Sequence, residues 1–342
     1  MKKKINILIT CAGGEYGPEL INSFRNNGFI KKIKIVGVDT KESLVSKKFL
    51  DKFYLVPDVT KKNYIKIIDR IIKINKINLI LPTSDEESLI LSKFYQNSKV
   101  KIICSDYRQL KILSNKIQTY KVLESNNIPL PKWFEINYEH DFIDAINYFK
   151  KNNKLFCVKP AISRGSRDVL VINNNLKSIL SIGSSREKHL NFKIFLKIYK
   201  KIYKNKYPLI MMEKLKAPAF DIDILSKNGK LINAICRKRV DSILHYKGHI
   251  IFKNKYLYNL SKKLSKIFKL NYLHDCDLML DNKGNFRILE INPRPSGSVA
   301  LGIAAGVPII KNLLCIYFNK NKFFKCKKIK KIALPYKKIL AI

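Results

Sequence analysis

Residues 289–298 read LEINPRPSGS. The pattern is that of a strand ending in prolines, with Glu290 and Asn292 two residues apart. Side chains at i and i+2 of a strand leave the same face. Two oxygen donors therefore aim at one point, while Leu289 and Ile291 turn into a core. Pro293 and Pro295 stop the strand, because proline lacks the N–H that a ladder needs. Arg294 then sits just past the strand end. Hard oxygens beside a fixed cation suit a Mg²⁺–phosphate site; a polar strand edge running into a loop is the plainer alternative. Upstream, LHDCDLMLDNKGNFRILEINPRP (273–295) reads as two alternating strands around DNKG, a hairpin. A turn centred on 282–283 puts Asp277 on the face of Glu290 and diagonal to it, with Asp275 on that face too.

The first hundred residues alternate strand and helix. INILIT (5–10), KIKIVGVDT (32–40), INLILPTS (77–84) and VKIICSD (100–106) are strands, with helical patterns between them. Such alternation predicts βαβ units and a parallel sheet. CAGGEYG (11–17) carries glycines as GGxxG instead of GxGxxG. That spacing fits a tight strand-to-helix turn facing a ligand better than a dinucleotide fingerprint. From about residue 129 the pattern changes to antiparallel strands with helices to one side. KLFCVKPAISRGSRDVLVI (154–172) reads as strand, polar loop, strand, and a lysine-rich helical stretch follows at roughly 184–206.

The chain has 342 residues, 46% of them apolar, enough for two or three domains with cores of their own. No apolar run reaches the length of a membrane span. Seven cysteines are scattered without a CxxC pair, which predicts buried free thiols and a cytoplasmic setting. The formal charge of +41 invites a nucleic-acid reading. Against it, Lys supplies 57 of the 67 basic residues and is spread along the chain beside abundant Ile and Asn, a compositional bias. Nucleic acid is therefore not the expected partner.

In order, Lys159 before PAISRGSRDV, Glu213 in MMEKL, Asp221 and Asp223 on a strand, and the hairpin ending in LEINPR resemble the ATP-grasp superfamily. The first hundred residues resemble the pre-ATP-grasp domain of its carbamoyl-phosphate-synthetase-like members, and the likeness covers nearly the whole chain. It implies an α/β and α+β chain: a Rossmann-like parallel-sheet domain at 1–108, an ATP-grasp domain at 109–318, and a basic segment at 319–342 packing back on the latter. Within the grasp domain, a small nucleotide-clamping unit is expected at 150–212 and a larger metal-binding unit at 213–318.

Residue by residue, the resemblance implies that Lys116 and Lys159 contact ATP phosphates. The loop carrying Ser163, Arg164, Gly165 and Ser166 closes over them. Glu213, Lys214 and Leu215 read adenine, and Asp221 holds the ribose. Asp277, Glu290 and Asn292 coordinate one or two Mg²⁺ ions, with Mn²⁺ as a substitute, and Arg294 stabilises the transferred phosphoryl. The loop has Ser163 and Asp168 where the family usually has glycine, and Asp221 stands one residue later than expected. Arg237 and Arg239 alternate with Lys238 on a strand, so both face either a phosphate or substrate carboxylate, or solvent. His245, Tyr246 and His249 read as a loop, Asp275 as a neighbour of the metal ligands, and Asp85 as a helix N-cap. The implied activity is an ADP-forming carboxylate–amine ligase acting through an acyl phosphate on small-molecule acids and amines, with a homodimer allowed for. A phosphotransferase and a non-catalytic ATP-binding module on the same fold are the alternatives.

Overall fold

The computed structural model describes residues 4–28, 30–163, 167–180, 187–242, 247–326 and 329–335. The first sheet holds β1 (Lys4–Ile9), β2 (Lys32–Asp39), β3 (Lys52–Leu55), β4 (Leu79–Leu81) and β5 (Lys101–Ile102). They are all parallel, in the order β3-β2-β1-β4-β5. Helices α1 (Gly17–Arg25), α2 (Leu44–Phe49), α3 (Tyr64–Asn75) and α4 (Asp85–Tyr95) connect the strands. Both faces are covered, as in parallel sheets generally. Ile5, Ile7 and Ile9 of β1 face one core, and Leu8 faces another with Val36, Ile68 and Ile80.

Helices α5 (Tyr107–Leu113) and α6 (Lys116–Ser125) lead into a second sheet of β6 (Trp133–Ile136), β7 (Phe156–Pro160), β8 (Leu170–Ile172), β9 (Lys188–Leu190) and β10 (Leu209–Glu213). Helices α7 (Glu139–Lys151) and α8 (Phe192–Tyr203) cover it through an aromatic core that includes Phe142, Phe149, Phe195 and Tyr199. Strand β6 pairs with β10 at the edge of this sheet.

The third sheet runs β15-β14-β11-β12-β13-β16, with β11 (Lys216–Lys227), β12 (Lys230–Arg239), β13 (His249–Phe252), β14 (Tyr272–Leu280), β15 (Phe286–Asn292) and β16 (Ile332–Ala333). One face packs on α6 and α9 (Lys255–Ile267) through Phe220, Ile222 and Ile224. Helices α10 (Val299–Ala304) and α11 (Ile309–Tyr317) fill the space between this sheet and the first. Ile309 and Leu313 share a core with Ile7 of β1 and Ile235 of β12.

The hairpin register differs from the simple count. Asp277 is paired directly with Glu290, and Asp275 with Asn292, because a bulge interrupts the pairing after Asp277. Ile288 pairs with Leu278 and both enter the core, where Ile291 joins them; Leu289 is the extra residue and is only half-buried. A bulge inserts one residue and re-aims those that follow. Tyr120 of α6, fully buried, places its hydroxyl 2.8 Å from the Ile288 carbonyl oxygen and 3.0 Å from that of Leu289, spanning the bulge. Tyr120→Phe should therefore lower stability by about 1–2 kcal/mol. Urea denaturation with an unchanged midpoint would show that the bulge does not depend on this bond.

Candidate functional site

Strand alternation sends Phe220, Ile222 and Ile224 to the helical core, so Asp221 and Asp223 face the other way. On adjacent strands Asp221 pairs with Arg237 and Asp277, and Asp223 with Asp275. Together with Glu290 and Asn292, these place five acids on neighbouring strands of one sheet face. Asp221, Asp275 and Asp277 offer oxygens that all lie within 4.8 Å of one another.

Cations reach this face from three directions. Arg239 on β12 contacts Asp221 (Nε to Oδ2, 3.0 Å) and Asp277 (Nη2 to Oδ1, 2.8 Å). Lys116, at the start of α6, lies 3.3 Å from Glu290 and donates to the Ser163 carbonyl oxygen at 2.6 Å. Arg294 donates to Asp275 at 3.4 Å and forms an ion pair with Asp85 at 3.0 Å. The side chain of Asn292 turns its Nδ2 toward Asp275 and Asp277, 3.3 Å from each.

These charges perturb one another. Burial alone would raise the Glu290 carboxyl, but Lys116, Lys159 and Arg294 hold it down at about 2. Burial, with Asp221 beside it, pushes Asp275 up to about 7. Burial and Asp275 likewise push Asp277 well above the usual carboxylate range. Lys159, at the end of β7 and 8% exposed, is lowered by burial although Glu290 opposes the shift. The Asp275–Asp277 pair is thus short of positive charge. Asp275 Oδ1 is buried with no hydrogen-bond partner among the described residues, and the nearby Arg237 Nη2 is 3.9 Å away. A divalent cation fits this donor set, because hard carboxylate oxygens are its preferred ligands and it would relieve the crowding.

Several positions differ from the sequence reading. Arg237 does not face a ligand: it is fully buried, bonds both oxygens of Asp223 (Nε at 2.8 Å, Nη2 at 2.9 Å), and donates to Ser298 Oγ at 2.6 Å. His249 is not in a loop but on β13, buried, its Nδ1 2.9 Å from Arg237 Nη1. Asp85 is not the N-cap. Ser84 caps α4, which leaves the Asp85 carboxylate for Arg294. Asp221 lies in the acidic cluster on Arg239, 1% exposed. Glu213, at the end of β10, pairs with Lys154 at 3.0 Å. The Lys214 N–H is taken by the Leu155 carbonyl oxygen at 2.8 Å, which removes that donor from any purine contact. Arg164, Gly165, Ser166, His245 and Tyr246 lie outside the described residues. Asp168 has a positive φ of 58°, the conformation that glycine adopts without strain, and its carboxylate pairs with Lys206 at 2.9 Å.

The acidic face opens into a cavity of about 390 Å³ between the third sheet and the first. Its lining takes in Arg239, Asp275, Asp277, Glu290 and Arg294, and also Glu15 of the turn after β1. Glu15 carried no site signal in the sequence beyond the glycines around it.

A doubly wound parallel sheet followed by two α+β lobes, with lysines and carboxylates meeting at the lobe junction, defines the ATP-grasp class of fold. Residues 205–333 match the family described as ATP-grasp in the biosynthetic pathway with Ter operon, and residues 7–114 match the PylC-like N-terminal domain. Among solved structures, N5-carboxyaminoimidazole synthetase from Staphylococcus aureus, complexed with ADP, is 15% identical with a TM-score of 0.69, over 97% of this chain and 81% of that one. The biotin carboxylase domain of Hydrogenobacter thermophilus 2-oxoglutarate carboxylase, holding MgADP, ADP and bicarbonate, is 13% identical with a TM-score of 0.71, over 96% and 73%. L-amino acid ligase from Bacillus licheniformis is 13% identical with a TM-score of 0.65, over 92% and 74%. No curated protein matches the sequence. The chain has the ATP-grasp fold with a PylC-like N-terminal domain.

Two substitutions check the corrected positions. Arg237→Met leaves Asp223 buried without its partner and should cost about 3–5 kcal/mol, part of which Asp223→Leu in the same chain restores. A single variant with wild-type urea stability would return Arg237 to the list of ligand contacts. At the left-handed position, Asp168→Ala should be less stable than Asp168→Gly by about 1 kcal/mol. Equal stabilities would show that backbone conformation does not decide that site.

Proposed function

We propose that the protein is an ATP- and Mg²⁺-dependent, ADP-forming carboxylate–amine ligase that works through an acyl phosphate. The observation that carries this reading is the junction itself. Lys116, Lys159 and Arg294 surround Glu290 beside a crowded pair of aspartates, and Glu290, Arg294 and both aspartates open on one cavity. Asp277, Glu290 and Asn292 would hold the cation, with Asp275 and Asp221 beside them. Once bound, that cation would neutralise charge on the phosphate oxygens.

The chain's own residues supply the rest. Lys116 and Lys159 bind the nucleotide phosphates, and Arg294 steadies the phosphoryl as it moves. Such a transfer needs in-line placement and positive charge more than covalent help. An oxygen of the acid attacks the γ-phosphorus and ADP leaves. The amine then attacks the acyl carbon, phosphate departs, and the amine loses a proton as the amide forms. Glu213, Lys214 and Leu215 are the adenine-side residues, and the loop from Ser163 to Ser166 shields the mixed anhydride from water. The position of Asp221 on Arg239 favours support of the acidic cluster over ribose binding. The reading keeps the protein in the cytoplasm, which its seven free cysteines favour, and leaves its self-association to be measured. No helix among the described residues is long and apolar enough to cross a membrane.

Product analysis tests the proposal. ADP and phosphate should appear together only when an acid and an amine are both supplied. ADP without free phosphate would instead indicate a phosphotransferase. Glu290→Gln should reduce turnover at least about 100-fold, as loss of a group acting on developing charge does, while MgATP still raises the melting temperature. Wild-type turnover in that variant sinks the metal assignment.

A further inference from the structure

One acidic turn of the first domain takes no part in the proposed chemistry. Helix α4 opens with Asp85, Glu86 and Glu87, and the Ser84 hydroxyl caps it by accepting the Glu87 N–H at 3.3 Å. The Glu87 carboxylate is buried and is met by hydroxyl groups: Thr10 at 2.7 Å, Tyr64 at 2.8 Å and Ser84 at 2.9 Å. The Thr83 hydroxyl adds a bond to the Thr10 carbonyl oxygen at 2.6 Å. The first turn of α4 is therefore clamped to the end of β1. Asp85 stands on that clamped turn, and the helix dipole favours its charge there.

Asp85 Oδ1 approaches Arg294 Nε to 3.0 Å, with both side chains less than one-fifth exposed. The approach is an ion pair off the N–H axis, and no hydrogen bond reaches this buried oxygen among the described residues. Arg294 has few other holds. Pro293 and Pro295 stiffen the backbone on either side but leave the torsions of the long side chain unset. Its Nη1 donates to the Pro295 carbonyl oxygen at 3.0 Å and to Asp275 at 3.4 Å. Asp275 belongs to the acidic face proposed for the cation, so a bound cation would draw on that carboxylate. Asp85 lies outside that face, and its charge stays with Arg294 in either state. Nη2 has no partner among the described residues, and Arg294 lines the cavity. A guanidinium anchored through Nε and Nη1 thus keeps one planar edge to offer.

We infer that Asp85 is a positioning residue for phosphoryl transfer: from the first domain it holds Arg294 by Nε, so that Nη2 meets the phosphoryl in transit. This rests on the ligase reading and deepens it, because it gives the first domain a part in the phosphoryl step. Such a transfer gains from positive charge that is fixed in place before the reaction. Without Asp85, the Arg294 side chain is drawn wholly to the acids on its other side, Asp275 first among them. Its charge is then spent on the acidic face and not on the phosphoryl. A merely structural ion pair between the domains would add stability and contribute nothing to the affinity for a phosphoryl in transit.

The test uses the full chain with Mg²⁺ and two probes, ADP alone and ADP with aluminium fluoride, a mimic of the phosphoryl in transit. Neither probe requires the acid or the amine. Calorimetric titration gives the gain in affinity that the fluoride confers. Asp85→Ala should bind ADP as the wild type does, and its gain from aluminium fluoride should be at least about tenfold smaller. Arg294→Ala should lose as much or more. The double variant should lose no more than Arg294→Ala alone, because Asp85 acts only through Arg294. Should Asp85→Ala fail to fold, Asp85→Asn keeps the shape without the charge and carries the same expectation. An undiminished gain in the Asp85 variant, or losses that add in the double variant, would overturn the inference and leave the ligase reading standing. A wild-type chain that binds ADP with no gain from aluminium fluoride would remove both.

Discussion

The architecture is governed by one electrostatic constraint: Asp221, Asp223, Asp275, Asp277 and Glu290 stand on neighbouring strands of a single sheet face. Like charges at these spacings repel, and burial adds to the cost. The fold meets the constraint unevenly. Asp223 is neutralised outright by Arg237, and Asp221 by Arg239, deep in the sheet. Glu290 is held charged by lysines from outside the sheet. Asp275 and Asp277 are the acids that burial and mutual repulsion raise, and a divalent cation fits the oxygens that the face presents.

The remainder of the chain delivers the outside cations. Lys116 comes from the helix leading into the small lobe, Lys159 from that lobe's sheet, and Arg294 from the loop after β15. Arg294 is also tied to Asp85 at the N-terminus of α4, so the first domain is bonded directly to the acidic face. The Ile288–Glu290 bulge aims the carboxylate, and Tyr120 on the same helix as Lys116 spans it. A shift of α6 would therefore disturb both the orientation of Glu290 and the charge that keeps it ionised. The second core supports this coupling, since Ile117 and Leu123 pack with Ile288 and Ile291.

Much of this was legible in the sequence for a simple reason. Alternation places residues on faces, so the pairing of Glu290 with Asn292 and their union with Asp277 follow from period two. The βα alternation of the first hundred residues likewise shows in hydrophobic pattern alone. What escaped depends on tertiary partners. Strand period puts Arg237 and Arg239 on one face but cannot say that one is spent on Asp223 and Ser298 while the other borders the cavity. The direct pairing of Asp277 and Glu290 required a bulge that no turn residue announced. Asp85 read as a cap because a capping signal is local, whereas its partner lies more than two hundred residues away. Glu15 could not be distinguished from any exposed acid until the turn that holds it met the third sheet.

The loop between β7 and β8 illustrates how a departure from a pattern can preserve the physics behind it. Glycine at position 168 would supply a positive φ and no charge. Aspartate supplies the φ, at 58°, because Asp tolerates the left-handed region better than most residues. Its charge is directed to Lys206, and its carbonyl accepts the buried Tyr203 hydroxyl at 3.0 Å, the same hydroxyl that meets the Val158 carbonyl oxygen at 2.8 Å. Tyr203 thus joins the loop to β7, the strand that carries Lys159. The left-handed residue is thus anchored to β7 through Tyr203, and its carboxylate is held by Lys206.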